Sequence, residues 1–158
     1  MSPMKPFNIV LIEPEIPPNT GNIARLCAAT GTVLHLVGRL GFSLDDRYLK
    51  RAGLDYWEFV TLKTWPDLDT LRAEHPDGRF FFLSTKVSYS YLCTDFRPGD
   101  FIVFGKETRG LPEELLSANP DSCITIPMPS GNVRSLNLST SVGIVLYEAL
   151  RQTGAIDR

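Results

Sequence analysis

The sequence predicts an α/β fold, a mostly parallel sheet with helices on both faces. Three observations carry that expectation. Short, continuously apolar runs recur along the chain, of the kind found in strands buried on both sides. Helix-period segments separate them, which is the alternation of β-α units. The length of 158 residues suits a single domain, 1–158, with core enough to fold unaided.

The elements follow in order. Residues 7–12 (FNIVLI) form a first strand, and a stretch punctuated by Pro14, Pro17 and Pro18 follows it. Residues 23–30 read as a helix stopped by Gly31 at its C-cap. Residues 33–37 (VLHLV) are a second strand, and 45–52 a short polar helix closed by Gly53. A third strand is expected over 57–62 and an exposed helix over 65–75. Residues 79–84 (RFFFLS) are a strand, 86–96 an irregular polar segment, and 101–104 (FIVF) a strand running into Gly105. A helix over 112–117 has proline at its favoured early position. Residues 122–126 (SCITI) are the last strand, and after a loop the longest helix covers 136–152.

Composition narrows the function. Hydrophobic residues at 43% and charged residues at 22% exclude a disordered chain. A net charge of −2 excludes a histone-like polycation. It does not exclude nucleic-acid binding, which depends on a local basic face. Residues 55–77 hold six acids and two bases, and 25–51 hold five bases and two acids. The first reads as a solvated face and the second as a candidate contact surface, though charge alone serves equally for plain solubility. Three cysteines without a CxxC pair favour neither a zinc site nor a disulfide framework. No apolar run approaches the roughly 18 residues of a membrane helix. No apolar segment follows Lys5 as in a signal peptide, so a cytoplasmic protein is expected.

Open α/β sheets bind ligands at the carboxyl ends of their strands, and three loops there stand out. The first, residues 17–25 (PPNTGNIAR), offers Asn19 or Thr20 as N-cap and a helix start that attracts anions. Arg25, one turn in, leans back toward that start. On its own this reads first as a capped helix with a surface arginine. The second, residues 105–112 (GKETRGLP), is neither a P-loop nor a GxGxxG turn. Its Glu107 can accept hydrogen bonds from a ligand or from a neighbouring loop. The third, residues 126–139, holds Ser135 and Asn137, both able to cap the last helix. That helix is apolar on more than one face, so it must be buried on more than one side, for which a subunit interface is a natural partner. His35 alternates with apolar residues and reads as structural, while His75 reads as solvent-facing. With no HExxH motif and no Ser/His/Asp set, hydrolase chemistry has little support.

In order and spacing, the three loops resemble the three motifs of the SPOUT superfamily, specifically its TrmH-like RNA 2'-O-ribose methyltransferases. The motifs are Asn19 to Arg25, Phe104 to Pro112, and Ile126 to Met128 with Arg134 to Ser139. The segments IEPEIPPNTGNIARLCAATG and RAGLDYWEF look like the minimal members, which methylate the wobble nucleotide of certain leucine tRNAs. The resemblance implies a deep C-terminal trefoil knot that forms the cofactor pocket. It implies S-adenosylmethionine as cofactor, S-adenosylhomocysteine as product, no metal, and tRNA as partner, with the wobble cytidine or modified uridine at position 34 as target. The cofactor would lie against Leu83, Ser84, Gly105, Glu107, Gly110, Ile126, Met128, Ser135, Leu136 and Asn137. Arg25 would sit at the ribose, either in its own site or supplied across a dimer, with Asn19, Glu107, Ser135 and Asn137 fixing loops and substrate. A homodimer would form through the last helix at Leu138, Val142, Leu146 and Tyr147. Lys86-Val87 departs from the Lys-Gly that close relatives often carry. Another tRNA or ribosomal-RNA position, or a non-catalytic RNA-binding module, are the alternatives.

Overall fold

The computed structural model describes residues 4–47, 51 and 56–156. Six parallel strands form one sheet: β1 (Asn8–Ile12), β2 (Val33–Val37), β3 (Thr61–Trp65), β4 (Phe80–Leu83), β5 (Phe101–Phe104) and β6 (Cys123–Ile124). Their spatial order is β3-β2-β1-β5-β4-β6. Among the described residues, four α-helices flank it: α1 (Pro17–Thr30), α2 (Leu68–Glu74), α3 (Glu113–Ala118) and α4 (Leu138–Gln152).

The period of two along each strand divides the core between two faces. Ile9, Leu11, Leu34, Leu36, Ile102 and Phe104 pack with Ile23, Ala24 and Cys27 of α1 and with Val142, Val145 and Leu146 of α4. Val10, Phe80, Phe82, Phe101 and Val103 face the other way, onto Leu71 of α2 and Leu116 of α3. Helices therefore cover both faces, as the apolar runs predict.

Several elements differ from the sequence expectation. Pro17 and Pro18 lie inside α1, since a helix's first turn has no use for the N–H that proline lacks. Residues 57–59 are a 3-10 turn and β3 begins only at Thr61, so Trp65 ends a strand instead of opening a helix. Asp67 caps α2, its carboxylate accepting from the Thr70 amide at 2.7 Å. Pro112 precedes α3 as its N-cap residue. β6 is two residues long, with Thr125 joined only by a bridge to Ser90, and α4 starts at Leu138. Of the short helix expected over 45–52, residues 48–50 and 52 lie outside the described residues.

Two burial expectations are corrected. Val142 and Leu146 are wholly buried in the chain's own core, where α4 packs on α1 and β5. They cannot line a dimer face; of the four residues expected there, Leu138 is half-buried and Tyr147 exposed. His75 is not solvent-facing: its ring centroid lies 4.9 Å from that of Phe101, and its Nδ1 is 3.1 Å from the Leu71 carbonyl.

His35 is structural, as its strand position predicts. It is fully buried. The Trp65 indole N–H donates to its Nδ1 at 3.0 Å, which leaves Nε2 as the N–H that donates to Asn8 Oδ1 at 2.9 Å. Asn8 in turn donates to the Gly99 carbonyl. Burial, seconded by nearby His75 and Lys63, lowers the His35 pKa to about 4, so the ring is neutral.

Candidate active site

Because all six strands run the same way, their carboxyl ends gather on one side of the sheet. A cleft of about 510 Å³ opens there. Its walls are the exits of β4 (Leu83 to Lys86), β5 (Phe104 to Leu111) and β6 (Thr125, Ile126, Met128), the start of α1 (Ile16, Asn19), and Arg134 to Leu138 at the entry to α4. The structure thus brings together every cofactor-contact residue named from the sequence: Leu83, Ser84, Gly105, Glu107, Gly110, Ile126, Met128, Ser135, Leu136 and Asn137.

One chain of polar contacts ties the three motif loops around this cleft. Glu107 Oε1 accepts from the Glu15 amide at 2.8 Å, and Oε2 accepts from the Ile16 amide at 2.8 Å. Oε2 also accepts from Asn19 Nδ2 at 3.2 Å. Asn19, itself buried, uses its Oδ1 to accept from Asn137 Nδ2 at 3.2 Å. Asn137 Oδ1 accepts from the amides of Ser139 and Thr140 and so caps α4. One carboxylate and two amides therefore hold motif one, motif two and motif three in fixed relation. Of the two candidate caps for the last helix, Asn137 takes the role, and Ser135 stays exposed on the cleft wall.

This arrangement corrects the reading of the first loop. Neither Asn19 nor Thr20 is the N-cap; that residue is Ile16, which has no side-chain oxygen to offer. Glu107, from a loop 91 residues away in sequence, accepts instead from the amide of this N-cap residue, as the acid of a capping box does. The anion-attracting start of α1 is accordingly taken by a carboxylate of the protein itself.

The second loop is pinched at its neck. Gly110 takes a left-handed φ of 69° and its amide donates to the Lys106 carbonyl at 2.9 Å. A Cβ on Gly105 would stand 2.0 Å from the Gly110 carbonyl carbon. Only glycine permits this closure.

Arg25 is not in the cleft of its own chain. It is exposed, and its guanidinium carbon lies 4.8 Å from the centroid of the Tyr56 ring. Among the described residues, none of the basic stretch 25–51 lines the cleft, whose cations are Lys86, Lys106, Arg109 and Arg134. Lys86 pairs with Glu113 at 3.1 Å and Lys106 with Glu13 at 3.3 Å. Glu13, Glu15, Lys106 and Thr108 join the first two loops to each other, and sequence reasoning does not single them out. The signal is the acid-proline-acid run at the exit of β1, legible only once β1 is known to lie beside β5. Among the described residues no group of His, Cys, Asp and Glu could hold a metal ion, and no helix is long and apolar enough to cross a membrane.

Comparison with known proteins matches this geometry. The SpoU rRNA Methylase family matches residues 6–147. A relative from Methylovorus glucosotrophus, named tRNA (cytidine(34)-2'-O)-methyltransferase, is 53% identical over 147 residues, covering 92% of this chain and 95% of its own. A solved structure described as giving structural insights into the 2-OH methylation of C/U34 on tRNA is 47% identical, with a TM-score of 0.88 and 94% and 96% of the two chains covered. An AdoMet-bound rRNA methyltransferase from Sinorhizobium meliloti is 25% identical with a TM-score of 0.82, covering 94% of this chain and 57% of its own.

Proposed function

The chain belongs to the SpoU rRNA methylase family, and on that premise we propose that it methylates the ribose 2'-hydroxyl of a tRNA wobble nucleotide, using S-adenosylmethionine. The target is cytidine or modified uridine at position 34 of leucine tRNAs. The observation that carries this reading is the Glu107–Asn19–Asn137 chain, which closes three strand-end loops around one cleft.

The residues present fit the cofactor. The cleft volume lies within the range of small-molecule sites. Leu83, Phe104, Ile126 and Leu136 supply apolar wall, and the loops at Gly105–Gly110 and 126–137 supply backbone polar groups and hydroxyls. When bound, S-adenosylmethionine supplies an activated methyl group on a sulfonium.

The chain's own part is alignment, exclusion of water and electrostatics. Asn19, Glu107 and Asn137 hold the loops, and Ser135 faces the nucleotide. A guanidinium is a very poor base, so Arg25 acts by orienting the 2'-oxygen and stabilising the negative charge that develops on it. An RNA phosphate or water takes the proton. The position of Arg25 outside its own cleft supports delivery of this residue from a second copy of the chain, so the working form is a homodimer. The family likeness supports a knotted path for the segment that carries the third motif.

The test is transfer of labelled methyl groups to bulk tRNA from cells lacking the protein, followed by nuclease mapping. Label at the wobble ribose of leucine tRNAs is expected, and Arg25→Lys should lower the rate about 100-fold with RNA binding retained. Label confined to ribosomal RNA overturns the substrate assignment. A near-normal rate for Arg25→Lys overturns the geometric role of Arg25.

A further inference from the structure

A second set of contacts runs beside the Glu107 chain, made by residues that precede the first motif. Glu15 Oε1 accepts from the Thr108 amide at 3.1 Å and from the Thr108 hydroxyl at 2.8 Å. Glu107, one residue earlier in that loop, accepts from the Glu15 amide in return. The exits of β1 and β5 thus exchange carboxylates, each acid reading the other loop's amide. Two residues upstream, Glu13 Oε1 lies 3.3 Å from Lys106 Nζ.

The backbone is bent to allow this. Glu13 has φ 50°, the only non-glycine with positive φ among the described residues. A residue with a Cβ seldom adopts that conformation without a local reason. Gly38 makes room for it, since a Cβ there would come within 2.9 Å of Glu13 Cγ. Charge sharpens the point. Acids beside a cleft that receives a polyanion oppose its approach, yet here both carboxylates face the loop over residues 106–108. The two hydrogen bonds from Thr108, the side-chain one first, hold the Glu15 carboxyl below its ordinary range, so it is ionised at neutral pH.

We propose that Glu15, with Glu13 beside it, is a positioning residue that sets the loop over residues 106–109 against the cleft and thereby the affinity for the cofactor. Neither Glu13 nor Glu15 lines the cleft, so each acts through the loop it holds. The inference rests on the methyltransferase reading above.

The experiment pairs calorimetry with S-adenosylmethionine and steady-state methylation of tRNA, on the wild type and on Glu15→Ala, Glu15→Gln and Thr108→Val. Glu15→Ala should raise both the cofactor Kd and its KM about tenfold, with the KM for tRNA within about twofold of wild type. Glu15→Gln should restore most of the affinity, because its amide oxygen still accepts from Thr108. Thr108→Val keeps the backbone bond and should cost about threefold. Unchanged cofactor affinity in Glu15→Ala overturns the proposal, as does a loss confined to tRNA. If Glu15→Ala folds poorly, the nearly isosteric Thr108→Val decides in its place, and unchanged cofactor affinity there overturns the proposal equally. A wild-type protein that binds no S-adenosylmethionine removes the proposed function, and this inference with it.

Discussion

Two polar networks join distant parts of this chain, and they do so by opposite means. Around the cleft, Glu107, Asn19 and Asn137 link three loops through a carboxylate beside solvent. Inside the sheet, Asn8, His35 and Trp65 link β1, β2 and β3 through neutral groups, with His35 wholly buried. A carboxylate can accept from several amides at once, which suits loops that no ladder registers. A neutral imidazole with one donor and one acceptor suits a closed space where a charge would be costly. The cleft network should therefore be vulnerable to lost shape or charge, and the interior one to acid.

The largest effect should come from breaking the cleft side alone. Gly105→Ala places a Cβ where the backbone of Gly110 and Leu111 already lies. The neck of the second loop must open, and cofactor affinity by calorimetry should fall more than about 100-fold. The pH dependence of unfolding, set by the interior, should not change.

Acid breaks the other side. The unfolded chain protonates His35 below its ordinary pKa of 6.5, while the folded chain refuses the proton until about 4. Between those values the unfolded state holds more protons, so stability falls as pH drops from 6.5 to 4. The loss should reach about 3 kcal/mol at the lower end. Urea unfolding at pH 7 and pH 4.5 measures it, and NMR titration of the His35 ring shows whether its pKa lies near 4. A ring titrating near 6.5 would abolish the contrast.

The smallest of the three sharpens the comparison by removing charge and keeping shape. Glu107→Gln retains one acceptor oxygen, but its NH₂ then meets an amide that also donates. Thermal unfolding should register a loss of about 2 kcal/mol, and kcat/KM should fall about tenfold. Near-normal stability would mean that shape alone holds the three loops.

The same contrast explains what is legible in the sequence. Residues 33–37, 79–84 and 101–104 read as strands because burial on both faces demands unbroken apolar runs, a local property. The start of α1 does not, because Pro17 and Pro18 look like loop until Glu107 arrives as cap from the far side of the chain. The cleft walls are legible through the motif resemblance, and the structure gathers in one place all ten residues that the resemblance sets against the cofactor. The stitching by Glu13, Glu15 and Thr108 is not, since ordinary surface acids carry no mark of their partners. Helix α4 is apolar on several sides for a reason that periodicity cannot specify: α1 and β5 of its own chain cover Val142 and Leu146. His75 ends a polar helix, and only the sheet order reveals Phe101 beneath it.

The link between Asn19 and Asn137 spans 118 residues of sequence. A ribosome adding about 5–20 residues per second needs roughly 6–24 s to make that stretch. Early in that interval β1 and β2 can pair, being near in sequence, but β1 waits for β5 on its other side until residue 104 is made. The nascent chain therefore carries an uncapped α1 and an open sheet edge until the last third of synthesis. The cleft closes only when the segment before α4 is made, so a product truncated ahead of residue 126 would hold most of the sheet and a cleft without its third wall.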